Sequence, residues 1–258
     1  MLELRLIIAL VSGLLPVAGQ APSLSRFAPQ VVSYRVDPRR STLRLYYCDA
    51  QGRRYGSLGG LRAGLAARGQ CLDFAMNGGM FAPGYAPQGL FTENGKTLMP
   101  LDTAAGTGNF YLKPNGVFYL GTDRSAHIVP TAAFRPDGRV AYATQSGPML
   151  VLDGQIHPAF RPGSANVQVR NGVGILPDGR VLLAMSRTKI SFYDFAQYFR
   201  RAGCRQALYL DGFVSRTYAP AAGWTQLDGD FGVIIGVSEP MPPPSILPPG
   251  KQHKPRWQ

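Results

Sequence analysis

Turn dipeptides set between short apolar runs constrain this chain more than any other feature. Asp137-Gly138, Asp153-Gly154 and Asp178-Gly179 each stand between apolar segments. Such pairs favour the positive-φ positions of tight turns, so the flanking runs read as antiparallel neighbours. Pro114-Asn115-Gly116 joins 110–112 to 117–120 by the same logic, and Asn94-Gly95 marks a hairpin inside the loop-rich stretch 80–108. With 31 glycines and 22 prolines among 258 residues, more strand than helix is expected. The expected architecture is one α+β domain over 30–238. It has a twisted mixed, mostly antiparallel sheet with two or three packed helices and long Gly-rich loops.

Further strands are expected at 31–36, 42–48 and 72–76, and a short helix at 57–67 that stops at Gly69. The clearest helix spans 191–202. Ser191 and Asp194 have the spacing of a capping box, and Phe192, Phe195, Ala196 and Phe199 form one apolar stripe. Gly203 ends it. The run 207–210 that follows shows no alternation, as expected of a strand buried on both faces. A last buried strand is expected at 231–237.

The ends of the chain read differently from its middle. Arg5, an apolar run over 6–17 and the small residues Ala18, Gly19 and Ala21 have the order of a signal peptide, 1–21. The run is shorter than the roughly 20 residues that a membrane span needs. A retained N-terminal anchor is the competing reading. Export implies a periplasmic or secreted protein. Residues 239–258 are proline-rich and then basic, an extended appendage suited to contact with the cell envelope. Export permits a disulfide, and Cys48–Cys71 is favoured because both end strand-like segments; Cys204 reads as a small buried hydrophobe. The net charge of +12 favours anionic partners such as a phosphorylated glycan, an envelope polymer or an anionic lipid surface. No basic-aromatic motif points to nucleic acid.

Chemistry has few carriers. The histidines are His127, His157 and His253, and no His-Glu-x-x-His, Gly-x-Ser-x-Gly or Walker motif occurs. Ser146 and His157 have no local support as a triad. No cofactor and no metal site are expected; the Asp-containing loops leave calcium open, but no ligand spacing argues for it. Asp211 stands out among five Asp-Gly pairs because a buried strand precedes it. A carboxylate there leaves a low-dielectric interior at an edge where sites gather; burial raises its pKa and a nearby Arg lowers it. Capping of backbone amides is the alternative. Asn77-Gly78-Gly79, Gln145-Ser146-Gly147-Pro148 and Arg170-Asn171-Gly172-Val173-Gly174 are similar strand–glycine junctions, the last led by an Arg that suits a phosphate or carboxylate.

Taken in order, Met76-Asn77-Gly78-Gly79-Met80-Phe81, Ser146-Gly147-Pro148, Arg170 with Gly174, and Leu210-Asp211-Gly212 with Ser215 resemble the phosphodiester glycosidase family. The phrases at 87–90, 108–111 and 113–118 are similar to those of a bacterial branch of it. The resemblance spans about 31–237. It implies hydrolysis of a sugar–phosphate diester at the anomeric carbon. On that basis Asp211 would activate water or attack C1, Arg170 would hold the phosphate, and Asn77 with the Gly78 and Gly79 amides would orient substrate oxygens. Ser146, Gly147, His157, Gly212 and Ser215 would be further substrate contacts, with Glu93 a reserve acid. Two positions depart from the pattern: Phe213 replaces a second Gly, and Ser186-Arg187 stands where an Asp-Gly is common. They support a second reading, a non-catalytic binding module for anionic glycans or phosphosugars.

Overall fold

The computed structural model describes residues 27 and 29–242. The expected signal peptide and residues 243–258 of the tail lie outside the described residues. The chain begins with β1 (Val31–Val36), β2 (Thr42–Tyr46), α1 (Leu58–Ala66), β3 (Gln70–Asn77), β4 (Phe91–Glu93) and β5 (Lys96–Met99). It continues through β6 (Gly116–Gly121), β7 (Ala126–Pro130), β8 (Val140–Ser146), β9 (Met149–Leu152), β10 (Gln155–Ile156), β11 (Val167–Gln168) and β12 (Asn171–Ile175). β13 (Val181–Ser186), β14 (Ile190–Ser191), α2 (Phe192–Arg201), β15 (Gln206–Asp211), β16 (Thr217–Ala219), β17 (Trp224–Thr225) and β18 (Ile234–Pro240) complete it.

The strands form three large sheets where one was expected. The first has the order β1-β13-β12-β15-β9-β10, the second β17-β16-β3-β18-β2 and the third β5-β4-β8-β6-β7; β11 and β14 form a separate ribbon. Every pairing between these strands is antiparallel, so the sheets are not mixed. The reason lies in strands that are apolar on both faces. On β13, Val181, Leu183 and Met185 enter a central core shared with Phe74, Met76, Phe118 and Ile235 of the other two sheets. The alternate residues, Leu182 and Ala184, pack outward against Phe195, Ala196 and Phe199 of α2. A second sheet is needed to cover the first kind, and a helix covers the second. The helix α1 does the same for the second sheet, placing Leu58, Leu61 and Leu65 on Ala75 and Ile234.

Most turns behave as the dipeptides imply. Asn94 (φ 50°) and Gly95 (φ 77°) close β4 on β5, and Asp153 (φ 50°) and Gly154 (φ 80°) close β9 on β10. Asp178-Gly179 joins the paired strands β12 and β13. Two expectations fail. Residues 109–111 form a 3-10 turn with Phe110 buried, and the Phe110 carbonyl accepts from Asn115 Nδ2 at 2.9 Å. That side-chain bond replaces a ladder bond, so Pro114-Asn115-Gly116 is not a hairpin. Asp137-Gly138 precedes β8, which pairs with β4 and β6 instead of β7.

The helices are capped as their sequences indicate. Ser191 Oγ accepts from Asp194 N at 3.1 Å and donates to Asp194 Oδ2 at 2.7 Å. Ser57 Oγ accepts from Gly60 N at 3.0 Å at the start of α1. Gly174 lets α2 sit directly on β12: a Cβ there would lie 2.7 Å from both Phe199 Cδ1 and Cys204 Sγ. The favoured Cys48–Cys71 disulfide does not form, and all three cysteines are free. Cys48 lies opposite Arg54 and Cys71 opposite Glu239, so neither faces the other. Cys204 is buried, and burial pushes its thiol up to about 12. The last strand runs through Pro240, taking in the first two residues of the expected tail, and Met241 N donates to Gly69 O at 2.8 Å.

Candidate active site

Three strand ends meet at one rim of the seam between the first and second sheets. Asn171 opens β12, Asp211 closes β15 and Asn77 closes β3. Asn171 is wholly buried and bridges the sheets. Its Nδ2 donates to Asn77 O at 2.7 Å and Asn77 Oδ1 at 2.9 Å, and its Oδ1 accepts from Asp211 N at 2.8 Å. Asn77 Oδ1 also accepts from Arg216 N at 3.1 Å. The other end of that amide, Asn77 Nδ2, is buried and faces the Asp211 carboxylate without a hydrogen bond of good geometry.

A slip in the ladder aims the carboxylate. Asn171 lies opposite Asp211 and Gly172 opposite Tyr209, which leaves Leu210 as the extra residue. Simple alternation would put Asp211 on the outer face with Ala207 and Tyr209. The bulge instead places it across from Asn171, whose side chain faces the seam. Asp211 makes no ion pair among the described residues, and burial pushes its carboxyl up to about 6 against the opposing pull of the Gly212 amide and the Asn77 carboxamide. Gly212 N donates to Asp211 Oδ1 at 2.6 Å. A side chain at Gly212 would displace the buried Tyr209 ring, because its Cβ would fall 2.1 Å from the Tyr209 hydroxyl. Ser215 closes the turn: its Oγ donates to Asp211 O at 3.2 Å and its N to Gly212 O at 3.0 Å. Ser146 Oγ donates to Leu210 O at 2.9 Å from below. At the tip of the turn Phe213 is 92% exposed.

Arg170 requires a correction. It is 1% exposed, and its guanidinium lies on the other side of the first sheet, 3.5 Å from the Phe192 ring centroid. Its Nε donates to Ile190 O at 3.0 Å, its Nη2 to Asn166 O and Oδ1 at 2.9 Å each, and its Nη1 to the Tyr209 hydroxyl at 3.4 Å. Neighbours on a strand face opposite ways, so with Asn171 at the seam Arg170 points to the α2 side and offers the site no fork. His157 is likewise committed elsewhere. It stacks on Phe160, its Nδ1 accepts from Ala159 N at 3.1 Å, and its Nε2 donates to Lys113 O at 3.2 Å. Burial lowers its pKa, which keeps the ring neutral. Glu93 lines a separate cavity with Arg44, Cys48, Arg68 and Tyr142, where burial raises its pKa.

The glycines of the other junctions serve packing. Gly78 N donates to Val233 O at 2.8 Å, and a Cβ at Gly78 would lie 2.9 Å from Ile235 N. At Gly79 it would meet Thr144 Oγ1 at 2.6 Å, and at Gly147 the Phe110 carbonyl at 2.6 Å. The seam thus gathers Asn77, Asp211, Gly212, Ser215 and Ser146, and sets apart His157, Glu93 and the Arg170 guanidinium. Sequence reasoning passed over Asn171, Tyr209 and Arg216. For Asn171 the signal was present, an Asn-Gly opening a strand, but it stood beside an Arg that suggested the chemistry. Among the described residues, no three His, Cys, Asp or Glu side chains gather into a metal site.

Comparison with known proteins gives one consistent answer. The family model for phosphodiester glycosidases matches residues 70–233. The uncharacterized protein YigE of Escherichia coli K12 is 39% identical over 206 residues, 80% of each chain. Among solved structures, the fold is similar to the catalytic domain of zebrafish N-acetylglucosamine-1-phosphodiester α-N-acetylglucosaminidase, auto-inhibited by its pro-peptide. That match has a TM-score of 0.57 at 13% identity and covers 80% of this chain and 83% of that one. A protein from Burkholderia pseudomallei matches with a TM-score of 0.54 at 12% identity, covering 80% and 73%.

Proposed function

The chain belongs to the phosphodiester glycosidase family, and from that premise we propose that it hydrolyses a glycosyl phosphodiester at the anomeric carbon, with Asp211 as the base. The observation that carries this reading is a partly exposed carboxylate, unpaired and raised to about 6, at the end of a buried strand. A general base works best when its pKa lies near the operating pH. Asp211 would take a proton from water as the water oxygen bonds to C1. The bond from C1 to the phosphate oxygen breaks, and its electron pair leaves on the phosphomonoester. The second pKa of such a group is near 6, so it departs without a strong acid. Ordinary glycosidases use two carboxylates that flank the bond, and this seam supplies one. Asn77 Nδ2, which faces the Asp211 carboxylate without a bond of good geometry, suits a substrate oxygen beside it. The substrate class is an envelope or extracellular glycan, a reading that rests on the signal-like start of the chain and its net charge of +12.

One observation favours the binding-module reading. Ser186 replaces the second carboxylate of the family pattern, and its hydroxyl accepts from Arg170 N at 3.0 Å, so that position is structural. A single assay separates the two. Hydrolysis of a sugar-1-phosphodiester is expected to rise with pH through about 6 and level off above it. Asp211→Asn is expected to lower the rate by roughly 100-fold or more. Unchanged turnover in that variant refutes the assignment, and saturable binding by the wild-type protein without cleavage establishes the module.

A further inference from the structure

With Arg170 turned away and the Arg216 guanidinium engaged by Asp228 and the Ser215 carbonyl, the seam described so far contains a base and an amide donor, but no unpaired cation for a phosphate. The first sheet supplies one just past the end of β13. Val181, Leu183 and Met185 face the central core, and Arg187 continues that alternation. Met185 lies opposite Asn171 in the ladder, and its sulfur accepts from the Thr217 hydroxyl of the second sheet at 3.2 Å. The face in question is therefore the one that holds Asn171 and Asn77. The Arg187 guanidinium carbon sits 4.7 Å from the ring centroid of Trp224 on β17, so it reaches across the seam.

The platform is itself fixed. Trp224 Nε1 donates to Gln226 Oε1 at 3.1 Å, and the same oxygen accepts from Thr217 N at 3.0 Å. Arg187 N donates to Gln30 O at 2.7 Å, which anchors the backbone. The side chain, by contrast, is unsatisfied. Arg187 makes no ion pair among the described residues, and its Nε is buried without a hydrogen-bond partner. Four buried side-chain N or O atoms of the described residues lack a bond of good geometry; two are donors, Asn77 Nδ2, which faces the Asp211 carboxylate, and Arg187 Nε, and both border this seam. A buried donor left unpaired is costly, and an oxyanion satisfies such donors. Stacking on an indole leaves the planar edge of a guanidinium free for a two-oxygen acceptor.

We propose that Arg187, held on Trp224, is the anion-binding group of this site and takes the phosphoryl oxygens of the phosphodiester. The inference rests on the phosphodiester reading above and assigns its cation. Ser186-Arg187, the pair that departs from the family pattern, thereby adds a positive charge next to the position where an acidic residue is common.

The test uses the full chain and inorganic phosphate as the probe, with affinity measured by calorimetry or by chemical shifts of the Trp224 indole. Wild-type protein and Asp211→Asn are expected to bind phosphate. Arg187→Gln is expected to bind at least roughly tenfold more weakly, with Arg187→Lys intermediate because it keeps the charge and loses the fork. Folded Arg187→Gln with wild-type affinity, or wild-type protein that does not bind phosphate, overturns the proposal. Should Arg187→Gln unfold, equal affinity in folded Arg187→Lys and a Trp224 indole shift unmoved by phosphate overturn it equally. Diester hydrolysis separates the two readings. If phosphate binding depends on Arg187 but no diester is cleaved, the anion site stands and the hydrolase reading falls. If Arg187→Gln cleaves the diester with unchanged KM, the hydrolase reading stands and the anion site falls.

Discussion

At Asp211, stability and chemistry pull in opposite directions. Its folded pKa of about 6 lies above the unfolded carboxyl value of roughly 3.9. Between those values the folded state binds the extra proton, so stability falls as pH rises from about 4 to about 6 and stays lower above. Asp211→Asn removes this penalty and keeps an oxygen for the Gly212 amide. The variant is expected to be more stable than wild type at pH 7 by up to about 3 kcal/mol, with the gap closed near pH 4. Urea melts at the two pH values check this, and a difference independent of pH contradicts it. Asp211 was legible in the sequence because an apolar run without alternation leads into it. Its direction was not, since that depends on a ladder slip set by pairing with β12. The facing of Asn171 was not legible for a related reason: alternation shows that Arg170 and Asn171 face opposite ways, but which one meets the seam depends on Asn77, 94 residues away.

Among the elements, the corner around β12 is held by an unusual support. Arg170 ties the start of β12 to β14 through Ile190 O, to the loop before β11 through Asn166, and to the first residue of α2 through the Phe192 ring. Arg170→Met keeps much of the apolar contact but leaves the buried Ile190 carbonyl unmet. The expected cost is about 2–4 kcal/mol, read from urea melts. An unchanged midpoint would show that the corner does not need the cation. Strands and tight turns were mostly legible, because a turn that needs positive φ favours Asn, Asp and Gly. The partition into sheets was not. Alternation shows that a strand has two apolar faces, and says nothing of whether a helix or another sheet covers each. Residues 110–112 look apolar enough for a strand, yet 109–111 form a 3-10 element in which Leu112 N bonds Asn109 O and Asn115 holds Phe110 O.

For the whole molecule, the formal charge of +12 is a long-range property that no single contact expresses. It should draw anionic substrates toward the protein and be screened by salt. The kcat/KM for a phosphodiester is expected to fall several-fold between roughly 50 and 500 mM salt, with kcat little changed. A flat profile in steady-state assays would show that the charge plays no part in encounter. The order in which the chain is made has its own consequence. Ile234 at the start of β18 lies opposite Asn77, and Val233 O accepts from Gly78 N at 2.8 Å. Asn171 and Asp211 belong to strands synthesised earlier, yet the strand bearing Asn77 keeps an open edge until residues 233–240 emerge. A growing polypeptide therefore carries all the chemical groups of the seam well before it can hold them together. The site is therefore closed only once residues 233–240 are available to pair with β3.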